Sequence, residues 1–124
     1  MTHLVLGLIL LTVTLSACAQ LVFKLGVTHP RMADALQSGI PDAIITAATS
    51  PLIWSGLIIY GLSVTMWLWV LSRVDLSVAY PFVGVSFLVT MAFGALLLNE
   101  SVTPMRIIGT VLIAGGCILV GKSA

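Results

Sequence analysis

Four polar side chains recur at every fourth position through a first segment that is otherwise almost entirely apolar: Thr12, Ser16, Gln20 and Lys24. In an α-helix a four-residue step advances about 40° beyond a full turn, so these side chains would lie on one slowly drifting face. Polar groups at membrane depth are costly and by default face the protein interior or a water-filled cavity. We call this set the polar stripe. Its ammonium group, on Lys24, suits an anionic group such as a phosphate at a cavity mouth.

Each member of the polar stripe also has a simpler explanation. The hydroxyls of Thr12 and Ser16 can donate to the backbone carbonyl four residues earlier, as is common in membrane helices. Lys24 can extend its ammonium to the lipid headgroup region. Gln20 is harder to explain in this way, because its amide needs partners that hydrocarbon does not offer. From the residues alone, the local explanation and the cavity explanation both stay open.

A second group of residues that could bind a ligand lies near the start of the third apolar segment. Pro81 lacks an amide donor, so a helix is expected to bend there. Tyr80, Gly84, Phe87 and Met91 follow one another at three- and four-residue steps and would share a face. This face is either ordinary packing or a cavity wall opposite the polar stripe. As a cavity wall it would give Tyr80 a role, because a phenol offers an aromatic face and a hydroxyl to a sugar or a cation.

The elements that position these residues are membrane helices. Charged residues make up 7% of the 124 residues, hydrophobic residues make up 60%, and the mean hydropathy is +1.21. A bilayer core of roughly 30 Å needs about 20 apolar residues per helix. The sequence has four such runs, at residues 4–23, 52–71, 77–98 and 105–121. A β-barrel would instead show shorter segments of alternating polarity. We therefore predict an all-α integral membrane fold, with residues 1–124 forming a single four-helix transmembrane domain.

The first connection, residues 25–50, is long for so small a protein and contains Pro30 and Pro41. Residues 31–36 could form a short helix at the membrane interface. The connection is either a solvated linker or a lid over the cavity.

The distribution of basic residues gives little indication of how the chain is oriented in the membrane. With four spans, Arg73 and Lys122 lie on one side of the membrane, and Lys24, Arg31 and Arg106 lie on the other. The positive-inside rule therefore gives little bias. Two arrangements fit this balance: an antiparallel homodimer of chains inserted both ways up, or a single orientation fixed by a partner.

Two glycines of the fourth apolar run predict a contact between helices. Gly109 and Gly116 are seven residues apart and therefore share a helix face. Small residues let helix backbones approach closely, and close packing drives helix association in lipid. The spacing does not decide whether this contact lies within one chain or between two.

Several classes of function find no support in the sequence. The formal net charge is +1 and Lys and Arg are not clustered, which argues against binding of nucleic acid. No acidic residue occupies the middle of a predicted span, although proton-coupled antiport usually needs one. The sequence has no His pair, Cys–His set, glycine-rich phosphate loop or paired carboxylates. We therefore predict that the protein is not an enzyme and uses no metal or cofactor.

The chain resembles the small four-helix branch of the drug/metabolite transporter superfamily over nearly its whole length apart from the first connection. The resemblance is carried by residues 16–24, 67–71, 78–81 and 99–104, followed by Gly109 and Gly116. Two subfamilies of this branch come into consideration. Small multidrug resistance proteins carry an essential Glu in the first span, and by register from Lys24 that position here is Ser16. Val83 stands where those proteins have a substrate-stacking Trp.

The second subfamily fits better and is similar to the two small subunits of the bacterial flippase for aminoarabinose linked to undecaprenyl phosphate. It shares the Ser, Gln and Lys spacing of the first span and the Ala-Tyr-Pro of the third. The resemblance implies a dimer, formed with itself or with a sister subunit, in the cytoplasmic membrane of a bacterium. It further implies movement of a polyprenyl-phosphate-linked sugar, or a related anionic lipid, by alternating access.

The expected roles of the site residues follow from both lines of reasoning. Lys24 would bind phosphate, Ser16 and Gln20 would contact hydroxyl or amine groups, and Tyr80 would pack on the sugar ring. The remaining expected roles are headgroup contacts by Arg73 and Arg106, a groove-opening bend at Pro81 with Gly84, and a dimer contact at Gly109 and Gly116. Two alternatives to a lipid flippase are a small multidrug-resistance-type exporter of cationic compounds and a non-transporting assembly subunit of a larger membrane complex.

Overall fold

The computed structural model describes residues 3–123, and every regular element in that range is a helix. In chain order these are α1 (His3–Val27), α2 (Pro30–Ser38), α3 (Ile40–Thr49), α4 (Pro51–Leu71), α5 (Leu76–Ala79), a 3₁₀ turn (Tyr80–Phe82), α6 (Val83–Leu96) and α7 (Pro104–Lys122). Four stretches are long and apolar enough to cross a membrane: α1, α4, the combined stretch Leu76–Leu96, and α7. This confirms the predicted all-α membrane class.

Prolines mark where the helices begin. Pro30, Pro41, Pro51 and Pro104 each lie in the first turn of a helix, where a missing amide donor costs nothing. Polar side chains cap three of the same helices, and at the start of α2 His29 Nδ1 accepts from the amide of Arg31 at 3.3 Å. Ser50 Oγ accepts from the amide of Ile53 at 3.4 Å, and Thr103 Oγ1 accepts from the amide of Arg106 at 3.2 Å.

The first connection is more ordered than its sequence predicts. The segment predicted as a short helix is part of α2, and a second helix, α3, follows it after Gly39. Gly39 has a φ of 131°, a conformation that favours glycine and allows the sharp turn between the two helices. Pro41 indicates a break when read alone, but in the first turn of α3 it is compatible with a helix.

Helix α1 lies at the centre of the packing. It packs against α4 and α6, whereas α7 packs mainly against α6 and the 3₁₀ turn. The buried cluster at one end of the bundle joins α1 to α4 and to the start of the third span through Val5, Ile9, Val70, Ala79 and Phe82. Because α1 touches both neighbours along its length, its side chains line the spaces between the helices, and the polar stripe faces these spaces.

Candidate functional site

The first two members of the polar stripe line a cavity between α1, α4 and the start of α6. This cavity has a volume of about 170 Å³, and we call it the tyrosine cavity. It is lined by Thr12, Val13, Ser16, Tyr60, Ser63, Val64, Trp67, Tyr80, Val83 and Ser86. The structure thus brings Ser16 and Tyr80, which are far apart in sequence, to the walls of one cavity.

Thr12 and Ser16 differ in their hydrogen bonding. The hydroxyl of Thr12 is buried and donates to the carbonyl of Leu8 at 2.7 Å, so it satisfies itself locally. Within residues 3–123 the hydroxyl of Ser16 makes no such bond, and Ser16 is only half-buried. Ser16 is therefore available to a ligand in the tyrosine cavity, while Thr12 contributes mainly to its wall.

Aromatic and hydroxyl groups from α4 complete the tyrosine cavity. The rings of Trp67 and Tyr80 meet edge to face, with centroids 6.5 Å apart and an angle of 65° between their planes. Ser63 is buried and donates to the carbonyl of Tyr60 at 2.9 Å. Sequence reasoning missed Tyr60, Ser63 and Trp67, although their spacing of three and four residues places them on one face of α4. The same test that found the polar stripe would have found them.

The last two members of the polar stripe line a different cavity, between α1 and the far end of α6. Its volume is about 160 Å³, and we call it the lysine cavity. It is lined by Ala17, Gln20, Leu21, Lys24, Thr90, Phe93, Gly94, Leu98 and Glu100. Gln20 is exposed, and its side-chain amide makes no hydrogen bond to any residue in the described part of the chain. The amide is therefore free to meet a ligand.

Lys24 forms an ion pair that the sequence did not predict. Its Nζ lies 3.9 Å from Oε1 of Glu100, and both side chains are about half exposed, at 50% and 45%. Glu100 lies in the connection between α6 and α7, just beyond the third apolar run at residues 77–98. A pairing across 76 positions of sequence depends on how α1 and α6 pack, so no local pattern signals it.

The polar stripe therefore serves two cavities along one helix. An α-helix rises 1.5 Å per residue, so Ser16 and Lys24 are separated by about 12 Å along the axis of α1. The tyrosine cavity offers hydroxyl and aromatic groups. The lysine cavity offers an amide, a hydroxyl and two opposite charges. An elongated ligand could contact both.

Pro81 and Gly84 occupy a different surface from Ser16. Around Pro81 the α-helix gives way to the 3₁₀ turn, and the thiol of Cys117 on α7 donates to the Pro81 carbonyl. Gly84 faces α7, where an added Cβ would lie 2.6 Å from Ile113 Cγ2 and 2.8 Å from Cys117 Sγ. Gly84 thus allows close approach of α6 and α7 and does not line the tyrosine cavity.

The two arginines predicted as headgroup contacts lie on opposite sides of the bundle. Arg73, just after α4, places its guanidinium carbon 4.9 Å from the centroid of Trp69. Arg106, near the start of α7, donates to the carbonyl of Ser101 at 2.7 Å. Because α1 and α4 run antiparallel, Arg73 is at the end of the bundle away from Lys24, whereas Arg106 is at the same end as Lys24.

The glycines of α7 are open. A Cβ added at Gly109 or Gly116 would meet no heavy atom within 4 Å. Cys117 is the buried residue of α7, and most of the helix surface is exposed. Gly109 and Gly116 instead line open grooves beside α6, each of which includes Phe87 and Ile113.

Comparison with known proteins agrees with this architecture. Residues 4–122 match the model of the EamA-like transporter family. The chain is 31% identical over 118 residues to a protein of Pseudomonas aeruginosa (strain UCBPP-PA14) named "Probable 4-amino-4-deoxy-L-arabinose-phosphoundecaprenol flippase subunit ArnE", covering 95% of this chain and 97% of the relative. It is 32% identical over 116 residues to a protein of Sodalis glossinidius named as the corresponding probable subunit ArnF, covering 92% and 88%.

No solved structure matches the chain. The match to the family model spans nearly all of the sequence, and the relatives align over most of their own length. Together with the four membrane-crossing helices, these matches indicate a multi-pass protein of the bacterial inner membrane. The chain belongs to the EamA-like transporter family.

Proposed function

We propose that this protein moves a polyprenyl-phosphate-linked sugar, or a related anionic lipid, across the inner membrane by alternating access. The observation that carries the proposal is the division of the polar stripe between two cavities that are about 12 Å apart along α1. Its relatives are named as probable subunits of a flippase for such a lipid. A headgroup of phosphate and sugar has the elongated polar shape that this pair of cavities can hold.

In this proposal each cavity takes a different part of the headgroup. Lys24 binds the phosphate at the mouth of the lysine cavity, with Gln20 beside it for hydroxyl or amine groups. Ser16 and Tyr80 contact the sugar in the tyrosine cavity, where the phenol packs on the ring. The polyprenyl tail stays in the bilayer, since apolar surface gains nothing by leaving hydrocarbon.

The transporting unit in this proposal is a dimer, formed by two copies or with a sister subunit. The face of α7 that carries Gly109 and Gly116 is open in the single chain and offers room for another helix backbone. Alternating access requires two surfaces that move against each other, and α7 would hold the two chains together while the cavities of α1, α4 and α6 change their exposure.

Transport of a labelled lipid by purified protein tests the proposal. We would reconstitute the protein in vesicles that carry a fluorescent short-chain polyprenyl phosphate sugar and measure its movement by protection from a membrane-impermeant quencher. Lys24→Gln should abolish movement, because the amide carries no charge for the phosphate. Lys122→Gln, which removes a lysine at the end of α7, is the matched control and should leave movement unchanged.

Two results would contradict this function. Folded protein that moves no labelled lipid would favour an assembly role for the chain. Release of protons on addition of a cationic drug would favour a multidrug-type exporter.

A further inference from the structure

We infer that the cavity between α2, α3 and the start of α4 binds the phosphate of an anionic phospholipid of the surrounding bilayer, one whose headgroup carries no amine. The site goes beyond the proposed function, because no member of the polar stripe lines it. We call it the arginine cavity. It has a volume of about 160 Å³, and its polar lining residues are His29, Arg31, Thr46, Thr49 and Ser50.

The free polar groups of the arginine cavity include three hydrogen-bond donors. Arg31 is exposed, and within residues 3–123 its guanidinium makes no ion pair or hydrogen bond. Nδ1 of His29 accepts from the amide of Arg31 at 3.3 Å, so the proton of the neutral ring is on Nε2, which can donate. The hydroxyl oxygen of Ser50 accepts from the amide of Ile53 at 3.4 Å, which leaves its hydrogen to donate. A group of donors that includes a guanidinium suits a phosphate.

The net charge of the arginine cavity comes from its side chains. The helices α2 and α4 begin beside it and α1 and α3 end beside it, so the partial charges of the helix ends oppose each other. Asp34 and Asp42, the acids of α2 and α3, do not line the cavity. The lysine cavity differs, because there Glu100 lies beside Lys24. Since no described carboxylate lines the arginine cavity, an ammonium on the bound headgroup would find no partner in it.

The arginine cavity lies at the depth of the bilayer headgroups. It is placed between the last turn of α1 and the first turn of α4, and both helices are long and apolar enough to cross a membrane. The two helices approach closely there, since a Cβ added at Gly26 would lie 3.0 Å from Ile53 Cγ1. The ends of membrane-crossing helices lie near the boundary between hydrocarbon and headgroups. A lipid phosphate therefore reaches the cavity without leaving the bilayer.

Helix α3 turns an apolar face away from the arginine cavity. Ile44 and Ile45 are 63% and 62% exposed, whereas Thr46 lines the cavity. Ile44 and Thr46 are about 200° apart around the helix and so lie on opposite faces. The indole of Trp54, in the first turn of α4, donates to the carbonyl of Ala48 at 2.6 Å and holds the end of α3 beside the membrane span. An amphipathic helix in this position lies in the membrane interface, with its isoleucines against acyl chains and its threonine at the level of the phosphate.

Matched short-chain probes test the inference. They are dihexanoyl phosphatidylglycerol, whose only charge is the phosphate, dihexanoyl phosphatidylcholine, which adds a quaternary ammonium, and glycerol phosphate, which lacks acyl chains. We would measure the affinity of the purified full-length protein in a neutral detergent for each probe by calorimetry. We expect phosphatidylglycerol to bind at least about tenfold more tightly than either of the others.

Variants connect this preference to the arginine cavity. Arg31→Gln removes the charge of an exposed side chain and should weaken the binding of phosphatidylglycerol at least about tenfold. Arg31→Lys retains the charge and should keep part of the affinity. Thr46→Val removes a hydroxyl at nearly constant size and should weaken binding a few-fold. Lys122→Gln, which removes an exposed cation at the end of α7, is the matched control and should bind as the wild type does.

Photo-cross-linking locates the bound lipid in the wild-type protein. Phosphatidylglycerol with a photoreactive group beside its phosphate would be added to vesicles of phosphatidylcholine that contain the protein, and the labelled peptides would be identified by mass spectrometry. We expect labelling within residues 28–53, which include α2, α3 and the first turn of α4. The label should be lost in Arg31→Gln and kept in Lys122→Gln.

Several outcomes would overturn the inference. These are equal binding of phosphatidylglycerol and phosphatidylcholine, wild-type affinity in folded Arg31→Gln, and labelling confined to other parts of the chain. Glycerol phosphate that binds as tightly as phosphatidylglycerol would assign the cavity to soluble phosphates instead. Arg31-dependent binding of a short-chain polyprenyl phosphate, without binding of phosphatidylglycerol, would assign it to the transported lipid. None of these measurements depends on transport, so the flippase proposal is tested separately by lipid movement.

Discussion

The ring of Tyr80 meets the indole of Trp67 edge to face at 6.5 Å between centroids, and this contact joins the second membrane span to the start of the third. Tyr80 is 61% exposed and lines the tyrosine cavity together with Ser16. The contact lies next to the 3₁₀ turn around Pro81. A change in the geometry of this 3₁₀ turn would therefore move the ring of Tyr80.

Removal of the Tyr80 ring should therefore reduce transport more than removal of its hydroxyl. We expect Tyr80→Ala to lower the rate of lipid movement by at least about tenfold, because both the ring face and the contact to Trp67 are lost. Tyr80→Phe keeps the ring and should lower the rate only a few-fold. Initial rates of lipid movement in vesicles measure both. Trp54→Phe, an aromatic change outside the two cavities, should leave the rate unchanged, and equal rates in Tyr80→Ala and wild type would contradict a role for the ring.

A methyl group at Gly94 should disturb the lysine cavity. In Gly94→Ala the new Cβ would compete with Oε2 of Glu100 for the same space, so the carboxylate must move away from the end of α6. Overpacking of this kind typically costs about 1–3 kcal/mol. We expect a lower rate of lipid movement and a lower melting temperature in detergent.

Gly61→Ala provides the control for this substitution. Gly61 lies within α4 and a Cβ there would meet nothing within 4 Å. Alanine has a higher helix propensity than glycine, so this variant should be at least as stable as the wild type. If Gly94→Ala behaved like Gly61→Ala in both measurements, the close packing of Glu100 against α6 would be wrong.

Local patterns predicted much of the fold. The four apolar runs correspond to the four membrane-crossing stretches, because continuous hydrophobicity over about 20 residues depends on sequence alone. Ser16, Gln20 and Lys24 line cavities between helices, while their expected roles in binding stay predictions. The helix α3 was missed, since Pro41 indicates a break unless its position in the first turn is known.

The arrangement of the cavities could not be predicted in the same way. One polar stripe suggested one site, but the stripe is divided between a cavity lined by α1, α4 and the start of α6 and a second cavity lined by α1 and the far end of α6. As part of a cavity wall, Gly84 would lie opposite the stripe, but the structure places it against α7. The rotation of α6 about its axis depends on its packing against all neighbouring helices, which the sequence of α6 alone does not give. The ion pair of Lys24 with Glu100 likewise depends on tertiary packing.

The contact between α6 and α7 depends on Gly84. In Gly84→Ala the added methyl would meet Ile113 and Cys117 at distances well below normal contact, so α7 must shift or the residues must repack. We expect a loss of about 1–3 kcal/mol in stability, measured as a lower melting temperature in detergent. Ile113→Ala removes one of the clashing groups and should restore part of the loss in the double variant. A double variant no more stable than Gly84→Ala would contradict this packing.

Large side chains on the open face of α7 should separate a dimer without unfolding the chain. A Cβ at Gly109 or Gly116 would meet no heavy atom within 4 Å, and both positions line open grooves, so Gly109→Leu and Gly116→Leu should leave the chain folded as a monomer. If a second α7 packs on this face, the same bulk prevents close approach of the two backbones, and cross-linking between chains in membranes should be lost. Gly61→Leu, on the exposed surface of α4, should cross-link normally. Unchanged cross-linking in both α7 variants would place the dimer contact on another helix.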